Sequence, residues 1–558
     1  MENYTNEMSV VTANPEAAPE RKHRDLQAQR RERAANRRRR QIWHIIFLAA
    51  FALLLAVEIS AMAAVIRLGM LPGPLIALLV VLFLAYDCVT AYFMFLRGKR
   101  VPKKMAKRAA KKRRIISCVL TIVMLLGCVV ISTVANDVRK TFEAAQAEQQ
   151  KQQEAEADVG ITRTVYIRTH DTAESLADAK AYRFGILEGY DEECTQQAVA
   201  AIEAEVGATI NTQSYLSVFE MADALLSGKL DAMILKSGFI SIVEGDERYD
   251  MFSSNTRALA DVRIEGNGEE LDGSGLAMNA EADIAENGKL KPFIMYISGS
   301  DSRKGILESG RSDVNILAVV NPETRQVLLV NTPRDYYIAN PAGDGALDKL
   351  THCGVYGIDC SIEALSMLYG HEVQYYAQIN FQGLENLVDA IGGITVESDV
   401  AFTLYQNAGK IKVGENELNG KKALAFARTR KGLDGGDHDR GKNQMKVIKA
   451  IIDKATSGTT IVSNYSAIME SIDGMFVMNV PMSLIGEVVK KQLADMSGWN
   501  IVTYSVKGEG GYYECFSAPG MQLSAIKPLE SYVNKASALM DKVIAGEILT
   551  DEVVKNTK

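Results

Sequence analysis

Residues 293–335 read FIMYISGSDSRKGILESGRSDVNILAVVNPETRQVLLVNTPRD. Three apolar runs stand in this stretch: Phe293–Ser298, Val314–Val320 and Val327–Asn331. They are rich in β-branched and aromatic residues and bounded by Gly, Ser, Asn, Asp or Pro, so they read as three strands joined by loops. A short polar run carrying Arg and Asp lies at the end or the start of each strand. These are Gly299-Ser300-Asp301-Ser302-Arg303, Gly310-Arg311-Ser312-Asp313 and Thr332-Pro333-Arg334-Asp335. Arg offers a planar fork of donors with a permanent charge, which suits phosphate oxygens. Asp beside such an Arg is either its ion-pair partner or a ligand for a hard cation. Mg2+ takes one or two carboxylates and completes its shell with water and phosphate.

Two further Arg-bearing runs follow, Ala427-Arg428-Thr429-Arg430 and Asp437-His438-Asp439-Arg440. One Arg–Asp pair is ordinarily a surface salt bridge of little weight. Five such runs, each expected at a strand end or in a loop, read instead as a site for a phosphorylated ligand. Tyr375–Asn380 and Ile394–Glu397 add strands, and Ser361–Tyr369, Phe381–Ile391, Lys421–Phe426 and Asn443–Ala455 add helices. Strands and helices mix without a strict βα repeat. The expectation for residues 291–546 is therefore an α/β domain with a mixed sheet between helical layers, followed by a tail, 547–558.

Working back along the chain, residues 266–290 are rich in Gly and acid and read as a linker. Residues 160–265 alternate in a βαβαβ rhythm, with Tyr182–Leu187 as strand, Glu193–Val206 as helix, Ala208–Gln213 as extended, Ser217–Ser227 as helix and Leu230–Leu235 as strand. That pattern is expected of a small accessory α/β domain, like one lobe of an extracellular solute-binding domain. Residues 136–159 hold helix formers without Gly or Pro and read as a helical stalk or a linker.

The first quarter has a different character. Of the 558 residues, 1–114 carry 22 Lys+Arg against 8 Asp+Glu, and the remainder carries 40 against 61. Three apolar runs, 42–66, 72–95 and 115–135, are each long enough to cross a hydrocarbon core of about 30 Å at about 1.5 Å per residue. Eleven Lys+Arg and no acid fill the loop 97–114, and the tail 1–41 ends on Arg37-Arg38-Arg39-Arg40, whereas only Arg67 lies between the first two runs. The positive-inside rule then puts the N-terminus and the basic loop in the cytoplasm and everything after residue 135 outside the cell. The basic runs are read as topology and lipid-contact signals, not as nucleic-acid tails. Glu58 and Asp87 fall inside spans and are read as a packing or partner contact. Of seven cysteines, Cys88, Cys118 and Cys128 fall in spans; Cys194, Cys353, Cys360 and Cys515 lie beyond them. No CxxC occurs, which argues against a thiol-redox or zinc site, and Cys353 and Cys360 are near enough in sequence to pair.

The runs GSDSRKGILESGRSD, NTPRD, LDKLTHC, INFQGLENLVDAIGGI, ALAFARTRK and DHDRGKNQ, in that order, resemble the LytR-CpsA-Psr family of cell-envelope proteins over about residues 292–454. The resemblance implies an α/β/α sandwich outside the cell with a groove for a polyprenyl chain. It implies transfer of a glycopolymer, such as teichoic acid or capsule, from undecaprenyl pyrophosphate onto peptidoglycan through a phosphodiester. By motif, Asp301 and Asp313 match the acids assigned to Mg2+ (Mn2+ accepts the same oxygen ligands). Arg303, Arg311, Arg334, Arg428, Arg430 and Arg440 match the arginines around the pyrophosphate, and Gln444 matches the Gln of the last helix. Asp437 is the candidate base.

This chain departs from the pattern in carrying Asn443 where the family has Arg, although Lys442 precedes it. It also has three spans where members commonly have one. The groove would draw on Ile362, Leu365, Met367, Leu368, Leu384, Leu387, Val388 and Ile391, whose helical spacing equally describes ordinary core. Two other readings compete: a polyprenyl-pyrophosphate hydrolase using the same Arg/Asp site, and a membrane-tethered binding or regulatory protein without turnover.

Overall fold

The structure is a computed structural model that describes residues 17–68, 71, 73–95, 103–158, 162–188, 192–264, 284–286, 289–300, 310–433, 435–456, 471, 475–495 and 497–557. The chain divides into two compact units, Met1–Asn136 and Asp137–Lys558.

Within the first unit, the stretches Arg33–Leu68, Gly73–Phe95 and Lys111–Asp137 are helical and long and apolar enough to cross a membrane. Ile45, Ile59, Val81, Leu84, Val123 and Leu126 point outward and are exposed, as side chains that meet lipid would be. The interior holds apolar Phe47, Leu54 and Met94 together with small and polar Glu58, Ala61, Asp87, Thr90 and Ser117, all buried. Glu58 of the first helix and Asp87 of the second are both buried, and Tyr86 donates its hydroxyl to the Leu120 carbonyl at 2.7 Å. The two acids thus lie between helices, as a packing contact would. The third helix runs unbroken from Lys103 to Asp158, so the stalk residues up to Asp158 are helical.

The second unit holds two main sheets. The smaller has five strands in the spatial order Asn211–Tyr215, Arg183–Leu187, Ala232–Leu235, Thr162–Arg168, Thr256–Arg263. The first three are parallel and are linked by the helices Glu192–Val206 and Val218–Leu226. This is the expected βαβαβ unit. Ser217 caps the second helix by accepting from the Phe219 amide, as its hydroxyl suits it to do. Two antiparallel strands, Thr162–Arg168 and Thr256–Arg263, complete the sheet. They were not part of the sequence expectation.

The larger sheet has six strands in the order Phe476–Met478, Tyr375–Asn380, Phe293–Ser300, Ser312–Asn321, Gln326–Asn331, Asn500–Ser505. Its pairings are antiparallel except between Tyr375–Asn380 and Phe293–Ser300 and between Gln326–Asn331 and Asn500–Ser505. The sheet is mixed, as expected. Its side chains alternate between faces. Ile294, Tyr296, Leu317, Val319, Leu328 and Val330 pack on one side with Leu350, Leu365, Ala536 and Leu539. Ile316, Ala318, Val327 and Leu329 pack on the other with Met445 of the helix Asp437–Thr456. Helices therefore cover both faces.

Three details depart from the sequence expectation. Ile394–Ser398 pairs only with Gly414–Leu418, as a two-stranded ribbon apart from the six strands. The Asp437–Arg440 run is the first turn of the helix Asp437–Thr456, not a loop. The apolar groove candidates divide between two cores: Ile362 and Leu365 belong to the sheet core, and Val388 and Ile391 to a satellite core, while Met367 is exposed. Beyond residue 546, Leu549 is buried in the sheet core, and its amide donates to Gln326 Oε1. All seven cysteines are free, Cys353 and Cys360 included.

Candidate functional site

The loop ends of the central strands come together at one edge of the six-stranded sheet. Gly310-Arg311 leads into Ser312–Asn321, and Thr332-Pro333-Arg334-Asp335 leaves Gln326–Asn331. Three glycines set the local geometry. A Cβ on Gly299 would lie 2.6 Å from Val314 Cγ2, so only Gly lets these strands pair so closely. A Cβ on Gly354, in the helix Leu350–Tyr356, would lie 2.6 Å from the Gly310 carbonyl oxygen and 3.0 Å from the Ser312 nitrogen. That helix therefore presses against the backbone that carries Arg311. A Cβ on Gly441 would lie 2.3 Å from Asn331 Nδ2, so the helix Asp437–Thr456 crosses directly over the end of the strand Gln326–Asn331. This approach brings Arg440 to the loop of Arg334.

The polar side chains gather around Asp313. Arg334 Nη1 donates to Asp313 Oδ1 at 2.7 Å. Burial alone would raise the Asp313 carboxyl, but the charges of Arg334, Arg311 and Arg440 outweigh it and hold the group below the usual carboxylate range. Asp335 is shifted the same way: burial opposes the shift, and Arg334 and Lys349 prevail. Arg334 Nε lies 3.4 Å from Asp335 Oδ2, and Lys349 Nζ lies 3.5 Å from Asp335 Oδ1. The Thr351 amide donates to the Arg334 carbonyl at 2.8 Å, which fixes the turn. Beneath the strand ends lies a buried hydroxyl network. Tyr296 donates to Asn315 Oδ1 at 2.6 Å and sits 2.8 Å from Ser312 Oγ, which is 3.0 Å from Ser298 Oγ. Buried groups bonded this fully hold one arrangement.

Of the residues named from sequence, Arg311, Asp313, Arg334 and Arg440 are brought together. Gln444 is buried one turn beyond Arg440 on the same helix. Arg428 ends the helix Gly420–Arg428 between two rings, 4.2 Å from the Phe381 centroid and 4.7 Å from that of Tyr405. Such stacking holds a guanidinium by cation–π attraction. Arg430 is exposed two residues on. Asp437 opens its helix. Asp301 and Arg303 lie outside the described residues. Asn443 is buried and donates to the Phe426 carbonyl at 3.5 Å, so it joins two helices, and Lys442 pairs with Asp439 at 2.8 Å.

Sequence reasoning missed Asp335 and Lys349, although both stand inside the quoted runs NTPRD and LDKLTHC. It also missed the ring pair around Arg428. Asp348, His352 and Ser517 form a buried cluster in which Ser517 Oγ (2.7 Å) and Asp348 Oδ1 (2.8 Å) both face His352 Nδ1. A serine activated by histidine needs the opposite ring nitrogen, so this cluster serves to tie helix to hairpin.

Among the described residues, no three His, Cys, Asp or Glu gather as a metal-binding group. Mg2+ does not require such a group, because one or two carboxylates and phosphate oxygens suffice for it. Asp313, held ionised at the start of an interior strand, fits that sparse donor set.

Three guanidinium groups and a lysine surround two carboxylates here, on a mixed α/β sheet. The LytR_cpsA_psr family model matches residues 263–529. The chain is 35% identical over 184 residues to the polyisoprenyl-teichoic acid–peptidoglycan teichoic acid transferase TagU of Enterococcus faecalis, covering 33% of this chain and 59% of that one. It is 30% identical over 236 residues to the protein of the same name from Bacillus mycoides, covering 42% of this chain and 73% of that one. The crystal structure of TagV from B. subtilis aligns at 24% identity and a TM-score of 0.38, over 46% of this chain and 99% of that chain. The chain belongs to the LytR_cpsA_psr family.

Proposed function

We propose that the protein is a membrane-anchored transferase working on the outer face of the cell membrane. It moves a glycopolymer from undecaprenyl pyrophosphate onto a peptidoglycan hydroxyl. The convergence of Arg311, Arg334 and Arg440 on the ionised Asp313 is the observation that carries this reading. In the reaction, the acceptor oxygen bonds to the glycan-side phosphorus, and the bond from that phosphorus to the bridging oxygen breaks. Undecaprenyl phosphate leaves with the bridging oxygen, and the hydroxyl proton passes to a base, for which Asp437 is the candidate. Negative charge grows on the leaving group, and guanidinium groups already fixed by their neighbours stabilise it without reorganising. By the family motif, Arg428, Arg430 and Arg303 would add further positive charge for the ligand, and Gln444 a polar contact. Asp313, with Asp301, would hold Mg2+, which when bound neutralises charge on the pyrophosphate oxygens. The relatives named as teichoic acid transferases support this substrate class. The three apolar helices support the anchor, and the basic segments 30–40 and 97–114 support an outer location for the site.

The test is to replace Arg334 and Arg440 singly with Ala and with Lys. Loss of one oxyanion-type donor costs about 10²–10³ in turnover, so the Ala variants are expected to fall by that much. Lys retains the charge but not the fork, and should recover only part. Unchanged turnover in both Ala variants would refute the assignment.

A further inference from the structure

The smaller sheet ends at Arg263, where the residues matched by the family model begin, yet one of its turns touches the phosphate site. The helix Phe239–Val243 ends in Glu244-Gly245-Asp246. A Cβ on Gly245 would lie 2.8 Å from Arg311 Nη1, closer than real Cβ contacts allow. The guanidinium tip of Arg311 therefore rests on the bare backbone of Gly245, while Gly354 supports the backbone of Arg311 from the other unit of secondary structure. Gly245 is not in the left-handed region, so backbone freedom does not explain a glycine here; the closeness of Arg311 Nη1 and of the Ile242 carbonyl oxygen, 2.9 Å from the same Cβ, does.

The turn is firmly placed. Lys236 Nζ donates to the Tyr356 carbonyl at 3.4 Å, and the ring of Phe239 meets that of Tyr356 edge-on at 5.9 Å. Phe239 and Ile242 share a core with Val355, Cys515 and Leu523. Arg248 forks Asp246 with two bonds of 2.9 Å. Arg248 leads in holding the Asp246 carboxyl below its usual range, and Lys349, the partner of Asp335, adds to the effect. The small sheet thus reaches both Arg311 and the charged chain that runs through Lys349, Asp335 and Arg334 to Asp313.

We propose that Gly245 is a positioning residue: the turn Ile242–Asp246 walls one side of the phosphate site and sets the Arg311 guanidinium for transfer. This rests on the phosphotransfer reading given above. The small sheet is then part of the active site and not a separate receptor. A side chain at 245 meets the movable tip of Arg311 and, at 2.9 Å, the Ile242 carbonyl oxygen of its own turn, so the unfolding temperature is needed to separate displacement of the guanidinium from strain in the turn.

The experiment is a double-mutant cycle in the full chain in detergent, with a short polyprenyl-pyrophosphate-linked teichoic-acid precursor and peptidoglycan oligomers. Thermal unfolding is followed for every variant. Gly245→Ala is expected to lower kcat by about 10- to 100-fold, because a displacement near 1 Å can cost that much, with KM little changed. Gly245→Val should lower it further. In the Arg311→Ala background, Gly245→Ala should cost less than about twofold more, because coupled residues are not additive. Equal losses in both backgrounds would mean a merely structural role and overturn the proposal. So would full activity in Gly245→Ala when Arg311→Ala is impaired. Full activity in Arg311→Ala would overturn the phosphotransfer site itself, and this inference with it.

Discussion

Asp313 is one carboxylate among three guanidinium groups, and its ionisation is built into the fold. Its folded pKa lies below the value of an unfolded Asp, about 3.9. A depressed carboxyl contributes stability that is complete above the unfolded value and is lost as pH falls through the folded one. Asp335 and Asp348 behave alike, burial opposing the shift and neighbouring cations or hydrogen bonds winning. The unfolding temperature of the protein, followed by circular dichroism, should therefore hold from neutral pH to about pH 4 and drop below it. Asp313→Asn should lower it at pH 7 and flatten the acid drop. A midpoint that rises on acidification would contradict this. The pairing of Arg334 with Asp313 was not legible in the sequence. The two residues were singled out for different roles, one for phosphate and one for metal, and they meet across a strand and a turn.

Gly441 shows why one element was misread. Gly disfavours a helix interior by about 1 kcal/mol relative to Ala, so Asp437–Arg440 followed by Gly441 reads as a loop before a helix. The structure instead continues the helix through Gly441, because it passes over Asn331 with no room for a Cβ. Gly441→Val should destabilise the protein by about 1–3 kcal/mol through overpacking and, by lifting Arg440 from Asp313, reduce turnover beyond that loss. An active, equally stable Gly441→Val protein would contradict the close crossing. The strands Phe293–Ser300 and Ser312–Asn321 were legible because β-branched runs between turn residues mark them locally. Thr256–Arg263 was not, because Ala258, Ala260 and Asp261 carry little strand preference. Asn500–Ser505 owes its place to parallel pairing with Gln326–Asn331, a contact between distant segments that no local pattern announces. Gly245 was invisible for the same reason, since nothing near it in sequence points to Arg311.

For the chain as a whole, three apolar runs foretold three helices long and apolar enough to cross a membrane, and the structure adds what lies between two of them. Glu58 and Asp87 are both buried there. Removing one partner leaves the other buried and unsatisfied, at about 1–3 kcal/mol, whereas replacing both by apolar groups can be nearly neutral. Glu58→Leu should therefore unfold at lower temperature in detergent than Glu58→Leu/Asp87→Leu. The reverse order would show that the pair does not act as a unit.

The transfer reaction itself is tested most directly by its products. The full chain in lipid nanodiscs, given polyprenyl-pyrophosphate-linked teichoic-acid precursor, peptidoglycan oligomers and Mg2+, would be followed by mass spectrometry. The expected result is peptidoglycan carrying glycan phosphate, matched by an equal amount of polyprenyl phosphate, with both lost on Arg334→Ala. Release of free glycan phosphate without an adduct, or no cleavage of the donor, would contradict the assignment of this protein as a transferase.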